Sequence, residues 1–270
     1  SVIVGDPRRD KSPALMRAMG RFIDSLGGRY FAAEDSGTSV EDLRQMATQT
    51  RFVNGIDGNE HGGDPSPSTA RGVLSAIRAA LRHRLGSDDL SGIRVAIQGL
   101  GAVGYNLAAL LRSGGATVLA ADPDEERLGR AVRDLGVEAV SLEEILFADA
   151  DVLAPCALGG VLNADSIAKL RAGIVAGAAN NQLRDPEDAA RLADRGILYC
   201  PDFLINAGGI IDVYHQRQHL DGQSLGERLD AIGARLTEVL ERADRGHRPT
   251  NAIAEELAEE ILGRRAPVEE

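Results

Sequence analysis

Residues 93–122 read IRVAIQGLGAVGYNLAALLRSGGATVLAAD, and this stretch decides the fold. Val95, Ala96 and Ile97 form a short apolar run suited to a strand buried on both faces. At its end Gly99, Leu100, Gly101, Ala102, Val103 and Gly104 spell G-x-G-x-x-G. Val103, Leu107, Leu110 and Leu111 then recur at helical spacing, and Gly114 and Gly115 stop the helix. Val118 to Ala121 read as a second strand closing on Asp122. Each part has a chemical reason. Gly99 permits the tight turn, Gly101 removes a side chain where backbone must approach a pyrophosphate, and Gly104 lets helix and strand pack closely. Unpaired N–H groups at the helix start face the phosphates. Asp122 follows Gly104 by eighteen residues, where a carboxylate accepts both ribose hydroxyls. The same charge repels the 2′-phosphate of NADP, so NAD is the expected cofactor. A glycine-rich turn in another α/β protein is the competing reading, but strand, glycines, helix, strand and acid in this order favour a dinucleotide.

Outward from this unit the strand–helix alternation continues. Strands are expected at 139–140, 152–154, 174–176 and 197–199, with helices at 125–135, 142–147, 165–170 and 186–196. That order implies an α/β fold with a doubly wound parallel sheet. Three strands run into polar or Gly-rich segments, 155–160, 177–181 and 201–209, at the carboxyl ends where such sheets bind ligands. Upstream, a strand over Val2 to Val4, a helix opened by Ser12 and Pro13, a strand over 29–33 and a helix capped by Ser39 are expected. A long loop of Gly, Pro, Asp and Asn spans 52–68, and a helix covers 69–85. Helices at 210–218, 225–243 and 251–262 follow the last strand, and the residues from 266 on are expected to fray.

The length of 270 residues allows a sizeable core divided between two domains. A net charge of −11 argues against nucleic acid and anionic membranes as partners. No apolar run is long enough to span a bilayer, and no leader pattern is present. Cys156 and Cys200 lie in unrelated surroundings, which fits a reducing cytoplasm. Lysine is confined to Lys11 and Lys169. The chain begins without Met in what reads as mid-strand, so a fragment is expected.

Catalytic groups of a nicotinamide enzyme must lie near the ring. Asp35, beside Glu34 at an expected strand end, is the acid/base candidate for C–N chemistry, with a turn or helix cap as its alternative. Asn206, between an apolar strand and two glycines, is a candidate for holding the nicotinamide carboxamide or the substrate, or else a helix cap. Asn180 and Asn181 are turn residues or cofactor contacts. The histidines do not cluster: His61 lies in the long loop, His83 among arginines, and His215 and His219 have i,i+4 spacing without a third ligand, so no metal is expected. Cys156 reads as a small side chain lining the cofactor cleft rather than as a nucleophile.

Residues 1–43 together with GDPSPSTARGV, QGLGAVG, APCALGG, GAANNQL and PDFLINAGG closely resemble the bacterial amino-acid dehydrogenases, the leucine/valine/phenylalanine branch of the glutamate dehydrogenase superfamily. The resemblance implies NAD-dependent oxidative deamination of an L-amino acid to a 2-oxo acid and ammonia. It makes Asp35 the catalytic aspartate and Asn206 the asparagine that contacts substrate and nicotinamide. It extends the cofactor contacts from the glycine motif and Asp122 to Cys156, Ala157, Ala178 and Asn180. It lines the substrate side chain with Ala33, Leu229 and Ile232, an apolar set without a cation. Leucine, valine and isoleucine are therefore the expected substrates, with phenylalanine or glutamate as the alternative. The resemblance also implies a substrate and oligomerisation domain of α/β type, residues 1–84 completed by helices from about 220 to 270, and an NAD-binding domain of residues 85–219. The two domains would face one cleft, and the protein would form a homo-oligomer. One departure matters: the family's two active-site lysines belong to a segment ending in G-G-G-K, and neither Lys11 nor Lys169 matches them. This chain is therefore expected to bind NAD yet scarcely turn over, and a non-catalytic NAD-binding relative is the rival reading.

Overall fold

The computed structural model describes residues 1–35, 37–56 and 63–263, and among these six strands form one parallel sheet. They are β1 (Arg94–Gln98), β2 (Thr117–Ala121), β3 (Glu138–Ala139), β4 (Val152–Pro155), β5 (Ile174–Val175) and β6 (Leu198–Tyr199). Their order is β3-β2-β1-β4-β5-β6, the doubly wound arrangement that reverses direction at β1 and β4. Register places Val95 beside both Val118 and Val152, so the three central strands end at one level. The middle residues of these strands are apolar, and Val95, Ile97, Ala120, Val152 and Leu153 are fully buried.

The chain divides into two compact units, each described by itself. The first comprises the described part of Ser1–Pro65 together with Gly209–Gly226. It contains α1 (Pro13–Ser25) and α2 (Val40–Ala47). Pro13 begins α1 where its missing N–H is harmless, and Ser12 caps it by accepting from Leu15 N. Met16, Ile23, Leu43, Met46, Ala32 and Val53 make the core between these helices. Residues 29–33 do not form the expected strand; a single bridge joins Ala32 to Val53. No strand forms at Val2–Val4 either, where Val2 and Val4 are exposed and no described strand offers a ladder. From the later segment, Arg217 stacks on the Phe31 ring at 3.8 Å.

The second unit comprises Ser66–Gly208 and the described residues from Glu227 onward. It holds the sheet and α3 (Ser66–Leu85), α4 (Ala102–Ser113), α5 (Glu125–Leu135), α6 (Ala164–Ile167), α7 (Asp188–Asp194) and α8 (Asp202–Ile205). Of the remaining helices, α9 (Gly208–Gln218) falls in the first unit from Gly209 on, whereas α10 (Gly222–Gly246), from Glu227, and α11 (Thr250–Gly263) fall in the second. The segment expected as a helix at 142–147 supplies only a short 3₁₀ turn, Ile145–Phe147. By contacts, α3 and the last helices group with the sheet. The reason is steric. The small residues Ala76, Ala79 and Ala80 of α3 are buried, and α3 packs on α4. On its other side α3 meets α10, where Ser75 Oγ donates to Asp230 O and accepts from Gly233 N.

That contact requires glycine. A Cβ on Gly233 would lie 2.6 Å from Ser75 Oγ and 2.7 Å from Ser75 O. Gly233→Ala should therefore destabilise the second unit by about 1–3 kcal/mol, as overpacking does. A denaturant midpoint equal to wild type would show that α3 and α10 separate at no cost.

Candidate active site

The carboxyl ends of β1 and β2 are joined by one acid. Asp122, 8% exposed, accepts from Leu100 N through Oδ2 at 2.6 Å and from Asp124 N through Oδ1 at 2.8 Å. Each oxygen retains a further acceptor site for a hydroxyl. Gly99 has φ +97°, a backbone conformation side chains rarely adopt, and its N–H donates to Ala121 O. At Gly104 an added Cβ would overlap Gly99 O, so only glycine lets α4 seat against the turn. Gly101 is the N-cap of α4, and nothing lies within 4 Å of where its Cβ would be. Ala102 and Val103 open the helix, and Leu100 is buried beneath the turn. A bare helix start, an open space above Gly101 and a pinned carboxylate fit the phosphates and ribose of a dinucleotide.

The other edge of this crevice is built from β4, β5 and α8. Ala157 follows β4 and crowds Gly99, whose added Cβ would meet the Ala157 methyl at 2.8 Å. Cys156 lies between, its thiol pushed up to about 11 by burial. It stays protonated and packs, as a lining residue does. After β5 the chain turns through Ala178 and Asn180, and the structure brings both to Asn206. Asn206 Nδ2 donates to Ala178 O at 3.1 Å and to Asn180 Oδ1 at 2.5 Å. Asn206 ends α8 as its C-cap, its backbone N–H donating to Asp202 O, while its side chain clamps this loop.

A buried polar set that the sequence reading missed lies beneath this clamp. Gln182 is fully buried and donates from Nε2 to Gly177 O at 2.8 Å and to Ala179 O at 3.0 Å. Its backbone N–H donates to Asp202 Oδ2, and Tyr199 Oη donates to Asp202 Oδ1 at 3.1 Å. Burial first, and then the charge of Asp202, push the Tyr199 hydroxyl well above its ordinary range. The available signal was a third polar residue directly after Asn180 and Asn181 in a segment that otherwise reads as apolar.

In the first unit Asp35 is exposed and begins a turn in which Thr38 Oγ1 accepts from Asp35 N and donates to Asp35 O. It does not cap α2. Ser39 does, in a capping box with Asp42. Lys11 is committed to that same box: its Nζ lies 2.7 Å from Asp42 Oδ2. Lys169 lies over the Phe147 ring at 6.0 Å. Neither of the sequence's lysines is placed with Asp35 or Asn206 by any of these contacts. Next to Asp35, Glu34 is raised above the ordinary carboxylate range by burial and then by the charges of Asp64 and Asp42. Its Oε2 is buried without a hydrogen-bond partner.

Leu229 and Ile232 are buried on α10, and Ile232 Cδ1 would lie 2.6 Å from a Cβ at Gly72 of α3. Ala33 belongs to the other unit and is partly buried. His61 lies outside the described residues; His83 Nε2 is 3.1 Å from Asp244, and His215 is buried on α9. Among the described residues no group of three or more His, Cys, Asp or Glu is placed to hold a metal ion. None of their helices is long and apolar enough to cross a membrane.

The sequence profile of the Glutamate/Leucine/Phenylalanine/Valine dehydrogenase family matches residues 63–125 and 125–223. The chain belongs to this family. It is an oxidoreductase of the amino-acid dehydrogenase type. Leucine dehydrogenase of Bacillus subtilis is 41% identical over 265 residues, covering 98% of this chain and 73% of that protein. Phenylalanine dehydrogenase of Lysinibacillus sphaericus is 45% identical over 219 residues, covering 79% of this chain and 58% of that protein. The crystal structure of L-tryptophan dehydrogenase from Nostoc punctiforme superposes with a TM-score of 0.78 at 38% identity, covering 97% of this chain and 75% of that one.

The buried Glu34 carboxyl predicts a pH dependence. A carboxyl raised in the folded state contributes stability that is full below its unfolded pKa and is lost as pH rises through the folded value. Glu34→Gln should remove that loss, so the variant should gain stability relative to wild type on going from acid to neutral pH. Urea unfolding of both proteins across that range tests it, and parallel curves would show that Glu34 ionises without penalty.

Proposed function

We propose that this dehydrogenase catalyses NAD-dependent oxidative deamination of branched-chain L-amino acids, namely leucine, valine and isoleucine, to 2-oxo acids and ammonia. The observation that carries the cofactor reading is Asp122, pinned by Leu100 N and Asp124 N at the edge of a side-chain-free helix start. Gly99 to Gly104 would hold the pyrophosphate and Asp122 the adenosine ribose. Cys156, Ala157, Ala178, Asn180 and Asn206 would hold the nicotinamide end. When bound, NAD supplies the hydride acceptor. Asp35 is the group we assign to proton transfer at the substrate nitrogen, and its exposure suits a residue that must reach a ligand.

Substrate choice rests on charge and size. Ala33, Leu229 and Ile232 carry no cation, so a glutamate side chain would be desolvated without a partner. The bulk of Leu229 and Ile232 disfavours an aromatic ring. The likeness to leucine dehydrogenase over nearly the whole chain supports the same choice. A homo-oligomer is part of this proposal.

A second reading has one observation in its favour. Lys11 and Lys169 are engaged elsewhere, so residues 1–270 offer no lysine beside Asp35 or Asn206 in the contacts described. A binding-only relative would fit that. The binding-only reading expects the chain to bind NAD without turnover, whereas the enzyme reading expects NAD reduction with leucine, valine and isoleucine. Initial rates of NADH formation with these three, phenylalanine, tryptophan and glutamate decide it. Preference for an aromatic amino acid or glutamate would overturn the substrate, and no NADH from any of them would leave the binding-only reading.

Two variants test the assigned roles. Asp122→Ala should weaken NAD binding and narrow the preference over NADP; equal affinity of the unmodified protein for both would contradict the ribose role. Asp35→Asn should abolish most deamination while leaving NAD affinity nearly unchanged. Near-normal turnover would return Asp35 to a turn residue.

A further inference from the structure

We infer that Gln182 is a positioning residue for the nicotinamide end of the cofactor, acting through the loop that Asn206 clamps. The inference rests on the cofactor reading above. Gln182 touches none of the groups assigned to the nicotinamide except through backbone: it braces the carbonyls on either side of Ala178, at Gly177 and Ala179. Ala178 O and Asn180 Oδ1 then receive the two protons of Asn206 Nδ2. The same glutamine fixes the partner element. Its backbone N–H donates to Asp202 Oδ2, and Asp202 O accepts from Asn206 N at 2.9 Å one turn later. Loop and asparagine are thus both referred to one buried residue, the loop through its side chain and the asparagine through its backbone N–H.

Asp202 is itself held. Tyr199 Oη donates to its other oxygen, and Tyr199 O accepts from Thr250 Oγ1 at 2.7 Å. The arrangement is costly for the fold. Gln182 Oε1 is buried with no hydrogen-bond partner, and an unpaired buried acceptor opposes folding. An apolar side chain at 182 would avoid that penalty but release the Gly177 and Ala179 carbonyls, and with them the orientation of Ala178 and Asn180. The polar set lies on the β4–β5–α8 side of the crevice, whereas Asp122 and the glycine turn lie on the β1–β2 side. Its effect should therefore separate the nicotinamide from the adenosine half of the ligand.

ADP-ribose, which lacks only the nicotinamide, makes that separation measurable. In the full chain, Gln182→Leu should weaken NADH binding about tenfold while ADP-ribose affinity changes by less than about twofold. The blue shift and enhancement of bound NADH fluorescence should fall as well, reporting a loosened ring. Tyr199→Phe, which removes only the hydroxyl on Asp202, should act in the same direction with smaller size, and it decides alone if Gln182→Leu does not fold. Equal losses for NADH and ADP-ribose would show a merely structural role and overturn the proposal, as would no change in either. If the wild-type chain binds neither ligand, the cofactor reading itself fails, and this inference with it.

Discussion

A missing carbon atom at Gly104 sets the geometry on which the rest depends. Gly99 O occupies the place a Cβ would take, so α4 descends onto the strand end closely enough to leave its first N–H groups over the crevice. The turn this requires puts Gly99 at positive φ and delivers Leu100 N to the Asp122 carboxylate. One steric fact therefore couples the glycine turn, the helix dipole and the acid at the end of β2. Close approach recurs wherever an element must meet the crevice. An added Cβ at Gly177 would overlap Pro155, and one at Gly208 would overlap Ser68 O.

Around this frame the protein places its buried polar groups unevenly. Asp122 and Asp202 each accept two donors, and Asp188 is paired with Arg191, so their burial is compensated. Gln182 Oε1 and Glu34 Oε2 are not compensated in this way. Both lie next to residues assigned to the reaction, Ala178 to Asn180 in one case and Asp35 in the other. Uncompensated polarity close to a site is the pattern expected where function opposes stability. By contrast the ion pairs of α10 and α11, such as Arg242 with Glu238 and Glu260, lie on exposed faces and contribute little.

The sequence by itself determined the sheet, the cofactor side of the crevice and the family. Local rules suffice there, because strand, glycine turn, helix and acid lie within thirty residues and each has its own steric or electrostatic reason. It also marked Asp35, Asn206 and Asn180, but without separating turn and cap roles from chemistry. The tertiary structure adds their contacts. Ser39, not Asp35, caps α2, and the Asn206 side chain reaches across 26 residues of sequence to Asn180. The engagement of Lys11 by Asp42, 31 residues away, was equally invisible. Gln182 was passed over because its partners are two carbonyls of its own loop and a carboxylate 20 residues on, a pattern with no period in the sequence. The grouping of α3 and most of α10 with the sheet has no local signature either. Periodicity shows that α3 and α10 are amphipathic, but the choice of surface each covers depends on Gly72, Gly233 and the alanines meeting their partners at close range.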